Sequence, residues 1–172
     1  MKTKKIVFVA MYLALFFVLD YLTQVIPFLQ MPQGGSIGLS VVALLLASYH
    51  LGYKYGILTG LLSLIIQQLT GQIYIASPVQ FLLEYPLAFG IYGLAVLIPN
   101  TKIGKLPVYW GIIVTNLVRM GFHIIAGAVY WGVTWGGSIS YNAPYMLATM
   151  VVSLVIVPIS YNRLKIVGID AN

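Results

Sequence analysis

Apolar runs too long for the core of a small soluble domain recur along this chain, and they constrain its fold more than any other feature. Residues 6–19 form the first, with no charged side chain, and the apolar character passes Asp20 and continues to Ile26 before Pro27 interrupts it. Only 7% of the 172 residues are charged, against about 25% in an ordinary soluble domain, so a water-soluble globule is excluded. A helical crossing takes about 20 apolar residues, so this length holds about six or seven spans with short loops and no separate soluble catalytic domain. The expected fold is an all-α integral membrane bundle, one domain over residues 1–172.

Punctuation along the chain divides it into six helices. Lys2, Lys4 and Lys5 before an apolar run have the look of a signal peptide, but no small-residue cleavage site follows, which favours a retained first span over 6–26. The loop Met31-Pro32-Gln33-Gly34-Gly35-Ser36 offers two glycines for positive φ and close backbone approach. Residues 37–51 and 57–69 are short for crossings, and Lys54 between them decides for two spans over a re-entrant pair. An ammonium at the bilayer centre costs about 2.5 to 3.5 kcal/mol, a surface loop little. Ser77-Pro78 is a helix start, followed by apolar residues to 98. A fifth span is expected over 107–130, and a sixth opens at Asn142 and Pro144 and ends near 158–161.

With both termini cytoplasmic, Lys2, Lys4, Lys5, Lys54, Lys102, Lys105, Arg163 and Lys165 all fall inside and the outer loops carry no lysine or arginine. The net charge of +6 is thus topological, and its scattered residues form no patch for nucleic acid. Gly52, Gly56 and Gly60, four residues apart, place a smooth stripe where another helix packs.

Chemistry is bounded by what is missing. Without cysteine there is no disulfide or thiolate metal site; two histidines make a zinc site poor; no GxxxxGK[ST] phosphate loop or HExxH pair occurs. His123 has no evident serine or threonine nucleophile beside it, so an enzyme is not expected and no cofactor is implied.

Attention then falls on Asp20, Glu84, Arg119 and His123, the ionisable residues well inside the spans, because charge in lipid is costly and marks function or internal pairing. Glu84 stands about six residues from the outer start of its span and His123 about seven from the outer end of the next, which puts both roughly 10 Å deep at 1.5 Å per residue. Tyr74, Tyr85, Tyr130, Trp131, Trp135, Tyr141 and Tyr145 surround that depth. A carboxylate beneath aromatic faces suits a flat, cationic heteroaromatic ligand. The plainer readings are an interfacial aromatic belt, Trp135 above all, an internal Glu84–Arg119 ion pair, and His123 as a packed histidine. Asp20 suits a structural bond to Tyr21 or a loop amide, Asn142 the N-cap of the sixth helix, and His50 an interfacial position.

On these residues the chain resembles the thiamine-specific substrate-binding subunits, or S components, of energy-coupling factor transporters. The likeness covers nearly the whole chain and rests on Met31-Pro32-Gln33-Gly34-Gly35-Ser36-Ile37, Glu84-Tyr85-Pro86, His123 with Trp131 eight residues on, and Tyr141-Asn142. It implies thiamine as the transported ligand, captured at the outer face of a bacterial plasma membrane in a multi-pass protein. Glu84 is similar to the residue that bonds the aminopyrimidine and balances the cation, Trp131 to the ring-stacking residue, and Tyr74, Tyr85, His123 and Asn142 to positions completing the pocket. Tyr141 or Tyr145 takes a tyrosine position that the family sets several residues ahead of the asparagine. The first loop has Phe28 but no tryptophan where the family has an aromatic wall. Ala10 and Ala14 resemble the alanine motif that packs on the coupling subunit, with packing inside the chain as the alternative. The implied partners are a coupling transmembrane protein and two cytoplasmic ATPases. Rival readings are an S component for another vitamin or a thiamine precursor, and a structural membrane subunit in which Glu84 and Arg119 merely pair.

Overall fold

The computed structural model describes residues 2–104 and 106–166. Lys105 and the side chain of Lys2, both counted above as cytoplasmic, lie outside the described residues. Six helices make an all-α bundle: α1 (Lys2–Val25), α2 (Val41–Leu51), α3 (Tyr53–Leu69), α4 (Pro78–Leu97), α5 (Trp110–Tyr130) and α6 (Trp135–Ile166). Helices α1, α4, α5 and α6 are long and apolar enough to cross a bilayer, whereas α2 and α3 have 11 and 17 residues.

The shortest helix sits at the centre. Apolar on every side, α2 buries nearly all its residues, with Leu44, Leu45 and Ala47 fully enclosed against α1, α3, α4 and α6. It ends at Gly52, whose φ of +87° a residue with a Cβ adopts only under strain. Gly52 is therefore a turn residue, and the expected stripe reduces to Gly56 and Gly60 of α3. These meet α4 backbone to backbone: a Cβ on Gly60 would stand 2.4 Å from the Phe89 carbonyl oxygen, and one on Gly93 would stand 2.2 Å from the Ile57 nitrogen. Gly93→Ala forces the two helices apart and is expected to cost about 2 kcal/mol, or roughly 5 °C in thermal unfolding of the detergent-purified protein. An unchanged midpoint would show that this approach tolerates a methyl group.

Helix α4 is irregular because Pro86 lacks the N–H of a regular turn. It widens into a π turn over Leu83–Leu87, returns to α form over Ala88–Gly90 and tightens into a 3-10 helix over Ile91–Leu97. Backbone groups of the tightened part are met by Ser48 of α2, whose hydroxyl donates to the Gly93 carbonyl at 2.8 Å and accepts from the Val96 amide at 3.2 Å.

Two expected boundaries are corrected. Pro107 does not open the fifth helix: Thr101–Ile103 (β1) pairs antiparallel with Leu106–Val108 (β2), Pro107 stands opposite Lys102, and α5 starts at Trp110. Nor do Asn142 and Pro144 open the sixth. Helix α6 begins at Trp135 and carries Pro144 and Pro158 within it, as a membrane helix tolerates when neighbours satisfy the freed backbone groups.

The connections 26–40, 70–77 and 131–134 lie at one end of the bundle. Gly52, the β1–β2 hairpin and the two ends of the described chain lie at the other. The loop 26–40 folds on itself, with Met31 N donating to Gly35 O at 2.7 Å and Ile37 N to Leu29 O at 2.8 Å. Its glycines divide their roles. Gly34, beside Gln33 at φ 69°, takes φ +97°, whereas Gly35 has room for no Cβ because the Tyr145 ring and Tyr141 hydroxyl lie where one would stand.

Candidate functional site

A cavity of about 1240 Å³ occupies the end of the bundle where those three connections meet, somewhat above the roughly 300–1000 Å³ usual for small-molecule sites. It reaches the surface, since Tyr74 and Trp131 line it and are 66% and 41% exposed.

The start of α4 supports the carboxylate that faces the cavity. Ser77 caps the helix, its hydroxyl accepting from the Gln80 amide at 3.1 Å. Gln80, fully buried in the first turn, donates from Nε2 to the Tyr74 carbonyl at 3.1 Å and to the Glu84 carboxylate, and its Oε1 accepts from the Ala76 amide at 2.9 Å. Gln80 and Glu84 are four residues apart on one helix face. The π turn then carries both Glu84 and Tyr85 to the cavity.

Glu84 is where three elements converge. The His123 Nδ1 of α5 lies 3.6 Å from Glu84 Oε1, within ion-pair reach when the imidazole is protonated and long for a hydrogen bond. The depths derived from the sequence thus coincide. The Trp131 indole N–H, just past α5, is 3.3 and 3.2 Å from the two carboxylate oxygens. Its ring stands 5.3 Å from that of Tyr74, tilted by 43°. Tyr85 fixes Tyr74 from below: its hydroxyl accepts from the Tyr74 amide at 2.8 Å and donates to the Gln72 carbonyl at 3.4 Å.

Helix α6 supplies the opposite wall. Gly127 lets α5 and α6 touch, since a Cβ there would stand 2.3 Å from Ser138 Oγ. Asn142, expected as an N-cap, instead lies inside α6, where its Nδ2 donates to the Ser138 carbonyl at 2.9 Å and its Oδ1 accepts from the Tyr145 hydroxyl. Tyr141 reaches the first loop, its hydroxyl donating to the Pro32 carbonyl and accepting from the Gly35 amide at 3.1 Å. Both Tyr141 and Tyr145 line the cavity, with ring centroids 5.8 Å apart.

All eight expected ligand-site residues, Tyr74, Glu84, Tyr85, His123, Trp131, Tyr141, Asn142 and Tyr145, therefore line one cavity. Tyr130, Trp135 and Phe28 do not, and Phe28 is 80% exposed. The Glu84–Arg119 ion pair is not formed. Arg119 instead lies over the Phe89 ring at 4.6 Å and donates to the Tyr92 hydroxyl at 3.2 Å, and among the described residues the ion pair of Glu84 is with His123. Asp20 bonds Ser40, Gln24 and Gln72, whereas Tyr21 faces outward. His50 accepts or donates at Nδ1 with the Tyr12 hydroxyl at 2.8 Å, away from the cavity. Ala10 and Ala14 are exposed on α1 and do not pack inside the chain.

Gln80, Gln72 and Ser138 escape the sequence reading because neutral polar side chains are common at helix ends. The four-residue spacing of Gln80 from Glu84 is the one signal that marks it. Among the described residues, no group of three or more His, Asp or Glu is placed to hold a metal.

A family model described as thiamine transporter protein matches residues 6–167. The thiamine transporter ThiT of Bacillus subtilis is 33% identical over 147 residues, covering 75% of this chain and 76% of that protein. ThiT of Lacticaseibacillus paracasei is 30% identical over 119 residues, 59% of each. A solved structure of ThiT from Listeria monocytogenes superposes with a TM-score of 0.75 at 21% identity, covering 95% of this chain and 96% of that one, a likeness of fold.

Proposed function

We propose, from the fact that this chain belongs to the thiamine transporter protein family, that it is the substrate-capture subunit of an ATP-driven vitamin importer. It holds thiamine in the Glu84 cavity on the extracellular side of the bacterial plasma membrane. The observation that carries this reading is a carboxylate fixed by Gln80, Trp131 and His123 beneath the Tyr74–Trp131 pair, in a cavity that reaches the surface. Thiamine joins a neutral aminopyrimidine to a cationic thiazolium ring. Indole and phenol faces attract such a cation by about 0.5 to 2 kcal/mol each, and the carboxylate balances its charge. Asn142 and Tyr145 offer donors and acceptors to the ring nitrogens, and Tyr85 and Tyr141 close the sides.

The orientation is supported by charge. Lys4, Lys5, Lys54, Lys102, Arg163 and Lys165 belong to segments at or near the end remote from the cavity, and none lines it. Both termini are then cytoplasmic. The chain has no phosphate loop, so energy comes from partners: a coupling transmembrane protein, received on the exposed α1 face that carries Ala10 and Ala14, and two cytoplasmic ATPases.

Titration of the detergent-purified chain with thiamine is expected to quench tryptophan fluorescence saturably, with a hundredfold excess of riboflavin failing to compete. Riboflavin is uncharged and gains nothing from Glu84. Displacement by riboflavin would assign the cavity to a different vitamin, and absence of quenching by either would favour a structural subunit.

A further inference from the structure

We infer that Asp20 is a positioning residue, which fastens the 70–77 connection to α1 and α2 so that Tyr74 stands against Trp131. Asp20 is 8% exposed, near the end of α1, directly after the uncharged run over residues 6–19. Its Oδ1 accepts from the Ser40 hydroxyl at 3.2 Å, and its Oδ2 accepts from Gln24 Nε2 at 3.1 Å and from Gln72 Nε2. These donors come from three places: α1 itself, the head of α2, and the connection between α3 and α4.

All three are neutral, and among the described residues no cation pairs with this carboxylate. An acid in an apolar helix is costly, and what it offers here that asparagine cannot is acceptance at both oxygens at once. From Gln72 the tether runs directly to the ligand wall. The Gln72 amide donates to the Gln67 carbonyl at 2.9 Å, anchoring the connection to α3, and the Gln72 carbonyl receives the Tyr85 hydroxyl that also holds the Tyr74 amide. Tyr74 in turn stands 5.3 Å from Trp131. Releasing Gln72 frees the segment from one side, and the aromatic slot loses its fixed width.

The effect on affinity rests on the thiamine-binding reading above; the effect on the connection does not. Three variants test both: Asp20→Asn, Gln72→Glu, and the two together, which exchange donor and acceptor and restore the bond. In the unliganded protein, Asp20→Asn is expected to speed amide hydrogen exchange at Tyr74 while α5 keeps its protection, and to weaken thiamine binding about tenfold. The single Gln72→Glu change, which sets two carboxylates together, does at least as much. The double variant returns both readings to within about threefold of the native chain. Should Asp20→Asn fail to fold, Gln72→Ala gives the same pair of readings by removing only the donor. Unchanged exchange at Tyr74, unchanged affinity in a chain whose exchange has risen, or a double variant no better than the singles would overturn the inference. A native chain that binds no thiamine would instead overturn the reading of function, with the exchange results still deciding the role of Asp20.

Discussion

Replacing Glu84 with glutamine is expected to weaken thiamine binding roughly 30- to 150-fold while leaving the fold intact. The carboxamide has nearly the shape of the carboxylate and keeps an oxygen for the Trp131 N–H. The substitution removes the negative charge that balances the thiazolium, and it turns one oxygen into a donor facing Gln80, itself a donor. A hydrogen bond to a charged group is worth about 1.5 to 3 kcal/mol, and a lost charge match in a partly buried site falls at the upper end, about 2 to 3 kcal/mol. Equilibrium titration by tryptophan fluorescence or calorimetry reads this directly. An affinity within twofold of the native chain would remove Glu84 from the ligand contacts.

The second large effect is at Trp131. This side chain does two things at once: its ring makes one wall with Tyr74, and its N–H points at both Glu84 oxygens. Trp131→Ala deletes wall and donor together, and an expected loss of about 2 kcal/mol, roughly 30-fold in affinity, follows from truncating a large aromatic contact. Trp131→Phe keeps a ring but no donor, so its affinity is expected to fall between the two. An alanine variant that binds as tightly as the phenylalanine variant would show that the ring makes no contact with the ligand. Calorimetry suits this series because fluorescence loses its principal reporter.

The common depth of Glu84 and His123 was legible, though not their pairing, because charge is so scarce in these runs: two ionisable residues at equal depth on consecutive long helices have few reasons to be there. The first loop was legible for a different reason. Adjacent glycines announce positive φ and close approach, and Gly34 and Gly35 supply one each. Asn142 shows where local signals mislead. Asn-x-Pro is helix-start chemistry in water, but α6 runs through Pro144, and Asn142 is free to bond Ser138 and Tyr145 inside the bundle. The π turn around Glu84 is hidden in the same way: Pro86 announces a disturbance in α4 without saying whether the helix kinks, ends or widens. A Glu84–Arg119 ion pair was one of the plainer readings because opposite charges are few. Phe89 and Tyr92, far from Arg119 in the chain and brought to it by the packing of α4 on α5, hold it instead through ring faces and a hydroxyl.

Charge balance between Glu84 and the vitamin is tested most directly by a pairwise cycle: thiamine and an uncharged analogue, with the thiazolium replaced by a neutral ring of the same shape, each titrated by calorimetry into the native chain and Glu84→Gln. The expected result is that the native chain prefers thiamine by at least about tenfold, and that the variant holds both molecules with nearly equal affinity. Equal losses for the charged and the neutral molecule on removing the carboxylate would contradict it, because Glu84 would then be contributing something other than charge.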